Sequence, residues 1–243
     1  MSNHRLRSAL SARGWNGARL AEEVGVDAKT VERWLTQGRR PHTTTRARVC
    51  HVLGHDETYF WPELLGDDRV RGVSQSEIVQ LWPTRDSIPG DVWESLTSRA
   101  RSRVEVLVHS GGFLVEVYRL GQVLRDLSAA GGQARVLLGD PGSAAVVQRG
   151  IDEALPTLPA RAASTLEYLS PVLGLPGVEV RVHGTPLYAS IYRFDDSMMV
   201  NLHTHGLPAK DNPVLQLQQL PGGKLFKYYE EAFDRVWGAA RLP

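Results

Sequence analysis

The chain has 243 residues, of which 42% are hydrophobic and 23% charged, and its formal net charge is +1. This composition is typical of a globular protein with room for two domains, and it excludes a disordered or fibrous chain. No run of about 18 apolar residues is present and the amino terminus lacks the apolar centre of a secretory signal, so we expect a cytoplasmic protein with no membrane partner. The single cysteine, Cys50, excludes an intrachain disulfide and a thiolate zinc cluster.

The basic residues are concentrated at one end of the chain. Residues 1–55 contain ten Lys and Arg against four Asp and Glu, whereas the rest contains eighteen against twenty-three. A basic head on an acidic body is typical of a chain that contacts nucleic acid at one end only. Arginine outnumbers lysine 24 to 4, which indicates a GC-rich, bacterial genome.

Helical patterns begin near the amino terminus. A first helix is predicted over Asn3–Ala12, where Leu6 and Leu10 share a face and Gly14 follows. The stretch Asn16–Pro41 then predicts two short helices joined by one tight turn.

The turn and the helix after it are the most informative part of this stretch. Gly25 breaks the earlier helix with a residue that tolerates positive φ, and Asp27 is predicted to be the N-cap of the next helix. On that helix Val31, Trp34 and Leu35 form the inward face. The outward face, which a partner would contact, consists of Ala28, Lys29, Glu32, Arg33 and Thr36.

Two short helices around a glycine turn make a helix-turn-helix, whose second helix enters the major groove of DNA. The pattern resembles the Cro/lambda-repressor (xenobiotic-response-element) family over about the first quarter of the chain. The matching residues are Leu20-Ala21, Val24-Gly25-Val26, Thr30-Val31, Trp34, Gly38, Arg40 and Pro41. The alternative is an ordinary solvated helical hairpin.

The resemblance implies which residues contact double-stranded DNA. Ala28, Lys29 and Arg33 would face base edges, and since Ala28 offers only a methyl group, Lys29 and Arg33 would carry most of the direct readout. The phosphate contacts would come from Asn16, Arg39, Arg40 and Thr43. We expect a homodimer, because one helix-turn-helix reads only one half-site.

Two more helices complete a helical domain over residues 1–66. Thr43–Thr45 offers an N-cap to a fourth helix that ends before Gly54. A fifth helix is predicted from Asp56 to Leu65, with Tyr59, Phe60 and Trp61 closing the core. Residues 67–90 have boundary composition but include a predicted first strand, Glu77–Trp82.

The remainder, residues 91–243, alternates between strand and helix patterns and predicts an α/β domain with a mixed sheet. The predicted helices are Val92–Arg101, Leu114–Ala129, one or two within Ala144–Leu173, and Lys224–Ala240. The predicted strands are Val104–Val108, Ala134–Leu138, Val178–Val182, Tyr188–Phe194 and Met198–His203, the last pair forming a hairpin around Asp195-Asp196-Ser197. The last helix could cover the sheet or supply a dimer seam.

Small polar loops follow two of these strands. Ser110-Gly111-Gly112 follows one, and a loop that includes Asp140 and Ser143 follows the next. Because ligands bind beyond the carboxyl ends of strands in such sheets, these loops could hold a phosphate-bearing or carboxylate ligand. Plain strand-to-helix turns are an equally good interpretation.

The stretch from Val104 to His205 resembles one half of the phospholipase D superfamily, in which one strand carries His-x-Lys-x-x-x-x-Asp. This chain has Tyr188, Ser190 and Asp195 at those positions. The resemblance therefore implies a phospholipase D-like domain that has lost its catalytic His and Lys and is not an enzyme. Asp195 is also explained as a turn aspartate.

Alternation along the hairpin predicts a polar cavity. Its residues would be Tyr188, Ser190, Asn201, His203 and His205. We predict no cofactor and no metal, although His183, His203 and His205 could bind one. The sequence therefore favours a transcriptional regulator whose second domain binds a ligand or protein partner and dimerises. The alternative is a DNA-targeted hydrolase of phosphodiesters or nucleotides.

Overall fold

The computed structural model describes residues 2–55, 57–62 and 74–243. The chain divides into two compact units, Met1–Arg69 and Val70–Pro243. None of the helices in the described ranges combines the length and the apolar character that spanning a bilayer requires.

Five α-helices form the described part of the first unit. They are α1 (His4–Ala12), α2 (Gly17–Val24), α3 (Ala28–Gln37), α4 (Thr43–Leu53) and α5 (Glu57–Phe60). Their apolar faces enclose a core that includes Leu6, Leu20, Val31 and Trp34. Phe60 and Trp61 also lie in this core, as the sequence predicted, whereas Tyr59 is 40% exposed.

The turn between α2 and α3 has the predicted local chemistry. Gly25 ends α2 with a φ of 68°, in the left-handed region that favours glycine. The carboxylate of Asp27 accepts the backbone N–H of Lys29 at 2.8 Å and caps α3. Gly38 ends α3 in the same way, with a φ of 65°. These caps fix the length of α3, and therefore which of its residues face outward.

Two local predictions in this unit need comment. The N-cap of α4 is His42, which makes no side-chain capping bond, so the prediction of a threonine cap is wrong. His42 is still extended, with a ψ of 151°, and Thr43 is already helical, so the cap position precedes the threonine run. The fifth helix ends at Phe60 and Trp61 is not helical, so the helix is interrupted earlier than predicted; the expected start at Asp56 and the expected end at Leu65 lie outside the described residues.

The second unit is built on a seven-stranded mixed sheet in the order β1-β7-β6-β5-β2-β3-β4. Its strands are β1 (Ile78–Trp82), β2 (Arg103–Val108), β3 (Gln133–Gly139), β4 (Val178–His183), β5 (Ala189–Phe194), β6 (Ser197–Leu202) and β7 (Val214–Gln218). Strands β2, β3 and β4 are parallel, and every other pairing is antiparallel. The β5–β6 hairpin pairs Phe194 with Ser197, which confirms the predicted turn.

Helices cover both faces of this sheet. They are α6 (Gly90–Arg99), α7 (Gly112–Glu116), α8 (Leu120–Ala129), α9 (Ala144–Asp152), α10 (Leu158–Leu169) and α11 (Leu225–Ala239). Alternate residues of β2 belong to different cores: Val106 packs in one with Trp93 of α6, and Leu107 in the other with Phe233 of α11. The mixed α/β layers agree with the expected fold class.

Two elements differ from expectation. The helix predicted over Leu114–Ala129 is broken, because Arg119 has a φ of 49° between α7 and α8. The break lets Phe113 and Tyr118 both contact Trp93, with ring centroids 5.2 and 5.9 Å away. Strand β7 was not predicted at all.

A network of ion pairs crosses the face of the sheet under α11. Glu105 of β2 is 1% exposed and pairs with Arg135 of β3 and Arg193 of β5. From α11, Glu230 pairs with Arg193, and Asp234 pairs with Arg135 at 2.8 Å. Each buried charge therefore has an opposite partner, as burial requires.

Candidate DNA-binding surface and ligand pocket

The helix α3 presents the predicted outward row. Ala28, Lys29, Glu32, Arg33 and Thr36 are all exposed. The inward residues Val31 and Trp34 are 0% and 3% exposed, so the rotation of the helix is fixed by its packing. The Thr36 hydroxyl donates to the Glu32 carbonyl oxygen at 2.8 Å. The row that helix-turn-helix proteins turn towards bases is therefore open to solvent here.

The residues expected to face phosphates lie at the ends of α2, α3 and α4. Arg39, Arg40 and Thr43 are exposed, and Asn16 is exposed while its side-chain oxygen caps α2 at 2.9 Å from the Arg19 nitrogen. Arg33, Arg39 and Arg40 border a concavity of about 280 Å³.

The cations of this surface are not neutralised by neighbouring carboxylates. In the described part of the first unit, the ion pairs join Arg19 to Glu22 and Glu23, and Arg46 to Glu57. None of them involves the basic residues of the predicted DNA surface, which are Lys29, Arg33, Arg39 and Arg40. The surface therefore keeps its positive charge for a partner.

A pocket of about 280 Å³ opens in the second unit beyond the carboxyl end of β2. Beta-strand ends supply His109, Ser110, Gly111, Ser190 and His203 to its wall. The helices and loops around them supply Arg85, Arg149, Glu153, Arg161 and Lys210. A neighbouring cavity of about 510 Å³ shares Arg85, Ser110, Gly111 and Arg161 with it.

Three histidines cluster at this end of the sheet, and their hydrogen bonds fix their tautomers. The His109 ring centroid lies 5.7 Å from that of His183 and 6.4 Å from that of His203. Nε2 of His183 must donate to the Val108 carbonyl oxygen at 3.1 Å, while Nδ1 accepts the Thr185 N–H at 3.2 Å. His183 has both ring nitrogens occupied and joins the end of β4 to the end of β2.

The ring of His203 is hydrogen-bonded to a backbone carbonyl oxygen through one nitrogen and to the hydroxyl of Ser190 through the other. Its Nδ1 lies 3.1 Å from the Leu187 carbonyl oxygen, which can only accept, so Nδ1 carries the proton. Nε2 of the neutral ring is then an acceptor, and the Ser190 hydroxyl donates to it at 3.1 Å. Ser190 is 4% exposed, and both side chains line the pocket.

Burial keeps these imidazoles uncharged at neutral pH. Desolvation, followed by the charge of His183, lowers the pKa of His109 to about 3. Desolvation, followed by the charge of Arg149, lowers the pKa of His203 to about 4. The pKa of His183 is also lowered, chiefly by burial. The histidines therefore contribute neutral donors and acceptors.

The charge of the pocket comes from its arginines and one lysine. Arg149 pairs with Glu153 one helical turn later, and burial raises the pKa of that carboxyl. Arg85 lies over the ring of Phe113, 4.2 Å from its centroid, and Lys210 is 4.0 Å from Asp211. Four cations against the single carboxylate of Glu153 make the wall positive. Such a wall favours an anionic ligand.

The predicted ligand-binding residues divide between this pocket and other places. Ser110, Gly111, Ser190 and His203 line the pocket, and Gly112 lines the neighbouring cavity. Those outside both cavities are Asp140, Ser143, Tyr188, Asn201 and His205.

Each of these five has a local reason for its position. Asp140 accepts the Gly142 N–H and pairs with Arg241, while the Ser143 hydroxyl caps α9. Tyr188 precedes β5 and is 88% exposed, so strand alternation does not place it beside Ser190. The Asn201 amide donates to backbone oxygens of residues 212 and 213, and His205 lies exposed beyond the end of β6.

Two further arginines of this unit lie in different surroundings. Arg193 lies in the ion network under α11, whereas Arg85 lines the pocket. Arg149, Glu153 and Arg161 were not predicted to belong to the site. On sequence alone they belong to the polar faces of helices, and only the spacing of Arg149 and Glu153 indicates a pair.

Asp195 lies at the far end of β5, away from Ser190. It occupies the hairpin turn with a φ of 52°, and its carboxylate accepts the backbone N–H groups of Arg101, Ser102 and Arg103 at 2.7–2.9 Å. These bonds hold the pKa of the carboxyl low against the opposing effect of burial. Within the described residues, no group of three or more His, Cys, Asp or Glu side chains is arranged to hold a metal ion.

No protein-family model and no curated protein matches this chain. Among solved structures, it is similar to TrmBL2, described as an archaeal chromatin protein with a novel mode of DNA binding, at 10% identity and a TM-score of 0.43. It is also similar to phosphatidylserine synthase from Haemophilus influenzae, at 12% identity and a TM-score of 0.44. The matches cover 81% and 84% of this chain but 61% and 48% of those proteins. At these scores neither similarity assigns a function to this chain.

The expectation that the second unit is not an enzyme does not follow from its sequence and is corrected here. One of the two similar structures is that of a synthase, which is an enzyme. The expectation depended on the absence of His and Lys at positions 188 and 190. The absence of these two residues does not leave the pocket without imidazoles, because His109 and His203 line it from other positions.

Proposed function

We propose that this chain is a sequence-specific DNA-binding transcriptional regulator whose second unit binds a small anionic ligand. The observation that carries the proposal is the exposed face of α3. Its polar row is open while its apolar row is buried, and its basic residues lack carboxylate partners in the first unit's described part. A helix with this geometry supplies both base-reading and phosphate-binding groups.

Individual residues of the surface have distinct proposed roles. Lys29 and Arg33 reach base edges, with Ala28, Glu32 and Thr36 completing the face that lies in the groove. Phosphate oxygens are bound by Asn16, Arg39, Arg40 and Thr43. Two copies of the chain bind together, because one such unit covers a single half-site.

The proposed ligand occupies the pocket beyond β2. The positive wall offers charge-assisted hydrogen bonds to a phosphate or carboxylate, while the ring nitrogens of His203 are already hydrogen-bonded within the protein. Arg85 and Arg161 border both cavities, so they could hold the anionic group while the rest of the ligand extends between the two. DNA binding that responds to this ligand is the regulatory part of the proposal.

DNA binding is tested by selection from a library of random duplexes with the purified full chain. We expect an enriched palindromic sequence. The Lys29→Ala and Arg33→Ala variants should each bind it more weakly by about 1–3 kcal/mol and with relaxed preference at one position. Arg13→Ala, which removes an exposed charge that stacks on Trp15, is the control and should bind normally. Absence of enrichment, or unchanged preference in both variants, would overturn the proposal.

Anion binding is tested by thermal unfolding of the full chain in inorganic phosphate against chloride of equal ionic strength. Phosphate should raise the unfolding temperature of the second unit, because a ligand of the native state stabilises it. The Arg161→Gln/Lys210→Gln double variant should lose this shift. The Lys227→Gln/Arg235→Gln variant removes equal charge from exposed positions of α11 and should keep it. Equal shifts in the two variants would refute the pocket as the site.

A further inference from the structure

The pocket contains a serine hydroxyl whose hydrogen-bonding pattern differs from that of a merely buried serine. Ser190 donates to Nε2 of His203, and Nδ1 of the same ring donates to the Leu187 carbonyl oxygen. The three groups form a chain in which the imidazole is held in the tautomer that can accept the hydroxyl proton. A nucleophile, a base and a group that orients the base are the parts that nucleophilic catalysis by serine needs.

We propose that Ser190 is a nucleophile activated by His203, and that the pocket hydrolyses a carboxylic ester that carries a negative charge. The proposal uses the pocket of the proposed function but does not depend on DNA binding.

The chemistry balances without a metal or a redox partner. Ser190 Oγ forms a bond to the ester carbonyl carbon while its proton passes to His203 Nε2. The bond from that carbon to the alcohol oxygen then breaks, and Nε2 returns the proton to the departing alcohol. Water next gives a proton to Nε2 and attacks the acyl carbon, the bond to Ser190 Oγ breaks, and Oγ recovers its proton. The products are the free acid and the alcohol.

The charges of the wall favour a carboxylic ester over a phosphoester. The carbonyl of a carboxylic ester is neutral and becomes an oxyanion only on attack, so fixed cations such as Arg149 and Arg85 stabilise the transition state more than the bound substrate. A phosphoester is already charged, and the same cations would bind it strongly before any reaction. The remaining cations, Arg161 and Lys210, suit a separate anionic group on the substrate.

The oxyanion would also make the imidazole of His203 a stronger base. Burial and then Arg149 and Arg85 hold the pKa of His203 low, which makes the free imidazole a weak base. Negative charge that develops beside these arginines offsets their effect, so the imidazole becomes more basic as the intermediate forms.

The first experiment measures covalent labelling. The full chain is treated with a fluorophosphonate, which reacts with nucleophilic serines, and the modified residue is located by mass spectrometry. We expect an adduct on Ser190 in the wild type, none at this position in Ser190→Ala, and a rate about 100-fold lower in His203→Ala. Ser98→Ala removes an exposed hydroxyl of α6 outside the pocket and should label normally.

The second experiment measures hydrolysis of three p-nitrophenyl compounds: the acetate, the monosuccinate and the phosphate. The rate of p-nitrophenol release from the monosuccinate should exceed that from the acetate by about tenfold or more. Enzymatic release should disappear in Ser190→Ala. The Ser190→Cys variant keeps a nucleophile and should retain burst release of p-nitrophenol, which separates loss of chemistry from loss of folding.

The outcomes are distinct. An unlabelled Ser190 together with equal hydrolysis by the wild type and Ser190→Ala would overturn the proposal. Release from the phosphate but not from the carboxylic esters would overturn the substrate class. Selection of DNA by Ser190→Ala, carried out in parallel, shows whether the first unit works, so failure of one proposal is distinguishable from failure of the other.

Discussion

Lowering the pH from 7.5 to 5.0 should destabilise the second unit, because two of its buried histidines resist protonation. In the unfolded chain a histidine has a pKa of about 6.5. Folding lowers the pKa of His109 to about 3 and that of His203 to about 4. Between these values only the unfolded chain binds the protons, so stability is full above about pH 6.5 and falls as the pH decreases towards the folded values.

The size of the destabilisation is set by the difference between the pH and the pKa of histidine in the unfolded chain. At pH 5.0 each imidazole is still neutral in the folded chain but protonated when unfolded, and 1.5 pKa units at about 1.36 kcal/mol per unit give about 2 kcal/mol each. The two histidines together remove about 4 kcal/mol. His183 acts in the same direction, whereas Glu153, whose carboxyl pKa is raised by burial, gains stability when it is protonated.

Hydrogen exchange of the β2 and β3 amides in increasing urea, read by mass spectrometry, reports the free energy of unfolding of this unit alone. When the pH falls from 7.5 to 5.0, the free energy of unfolding of His203→Gln should decrease by about 2 kcal/mol less than that of the wild type. His205→Gln, two residues along and exposed, should show the full loss. If the wild type loses less than about 1 kcal/mol, or if His203→Gln and the wild type lose the same amount, burial does not hold these imidazoles neutral.

Three further sets of substitutions test other features. Asp195→Asn should lower the free energy of unfolding by about 2–4 kcal/mol in urea melts, because it weakens the charge-assisted hydrogen bonds from the backbone N–H groups of Ser102 and Arg103. The control, Asp196→Asn, changes an exposed aspartate and should have no effect. Gly139→Ala should lower the free energy of unfolding by about 1–3 kcal/mol, since a Cβ there would lie 2.8 Å from the His109 carbonyl oxygen. Gly238→Ala, in open space on α11, should raise the free energy of unfolding by about 0.5–1 kcal/mol. Arg39→Gln/Arg40→Gln should reduce the salt dependence of DNA affinity, its log–log slope changing by about 2, with little change in sequence preference.

The first unit could be predicted well because its signals are local. The residues that start and end α2 and α3 lie within a few positions of the helices they cap, and the same short stretch determines which face of α3 is apolar. The error at His42 is also local: three threonines suggest a cap, but the chain is already helical at Thr43, so the cap position falls one residue earlier, at His42.

The pocket could be predicted only in part because its members come together through the fold. Ser110 follows from the rule that ligands lie beyond the carboxyl ends of strands, whereas Ser190, near the start of β5, follows from alternation along the hairpin. Arg149 and Arg161 lie on helices, where arginines usually contact solvent, and nothing in their local sequence indicates that they face inward. The Ser190–His203 bond joins β5 to the residue after β6; the predicted hairpin brings the two residues into one cavity, but the sequence does not place them at hydrogen-bond distance.

The ion network beneath α11 fixes the position of this helix along the sheet. Apolar side chains such as Phe226 and Phe233 would tolerate a shift of the helix by one turn, about 5.4 Å, because similar surface would still be covered. The charges do not tolerate it equally well: after such a shift either Arg193 or Arg135 would lose its carboxylate partner on α11 and keep only its pairing with Glu105. Loss of a partner from a buried ion pair is strongly unfavourable. The hydrophobic contacts therefore hold the last helix onto the sheet, and the ion pairs select one alignment among several that hydrophobic burial alone would permit.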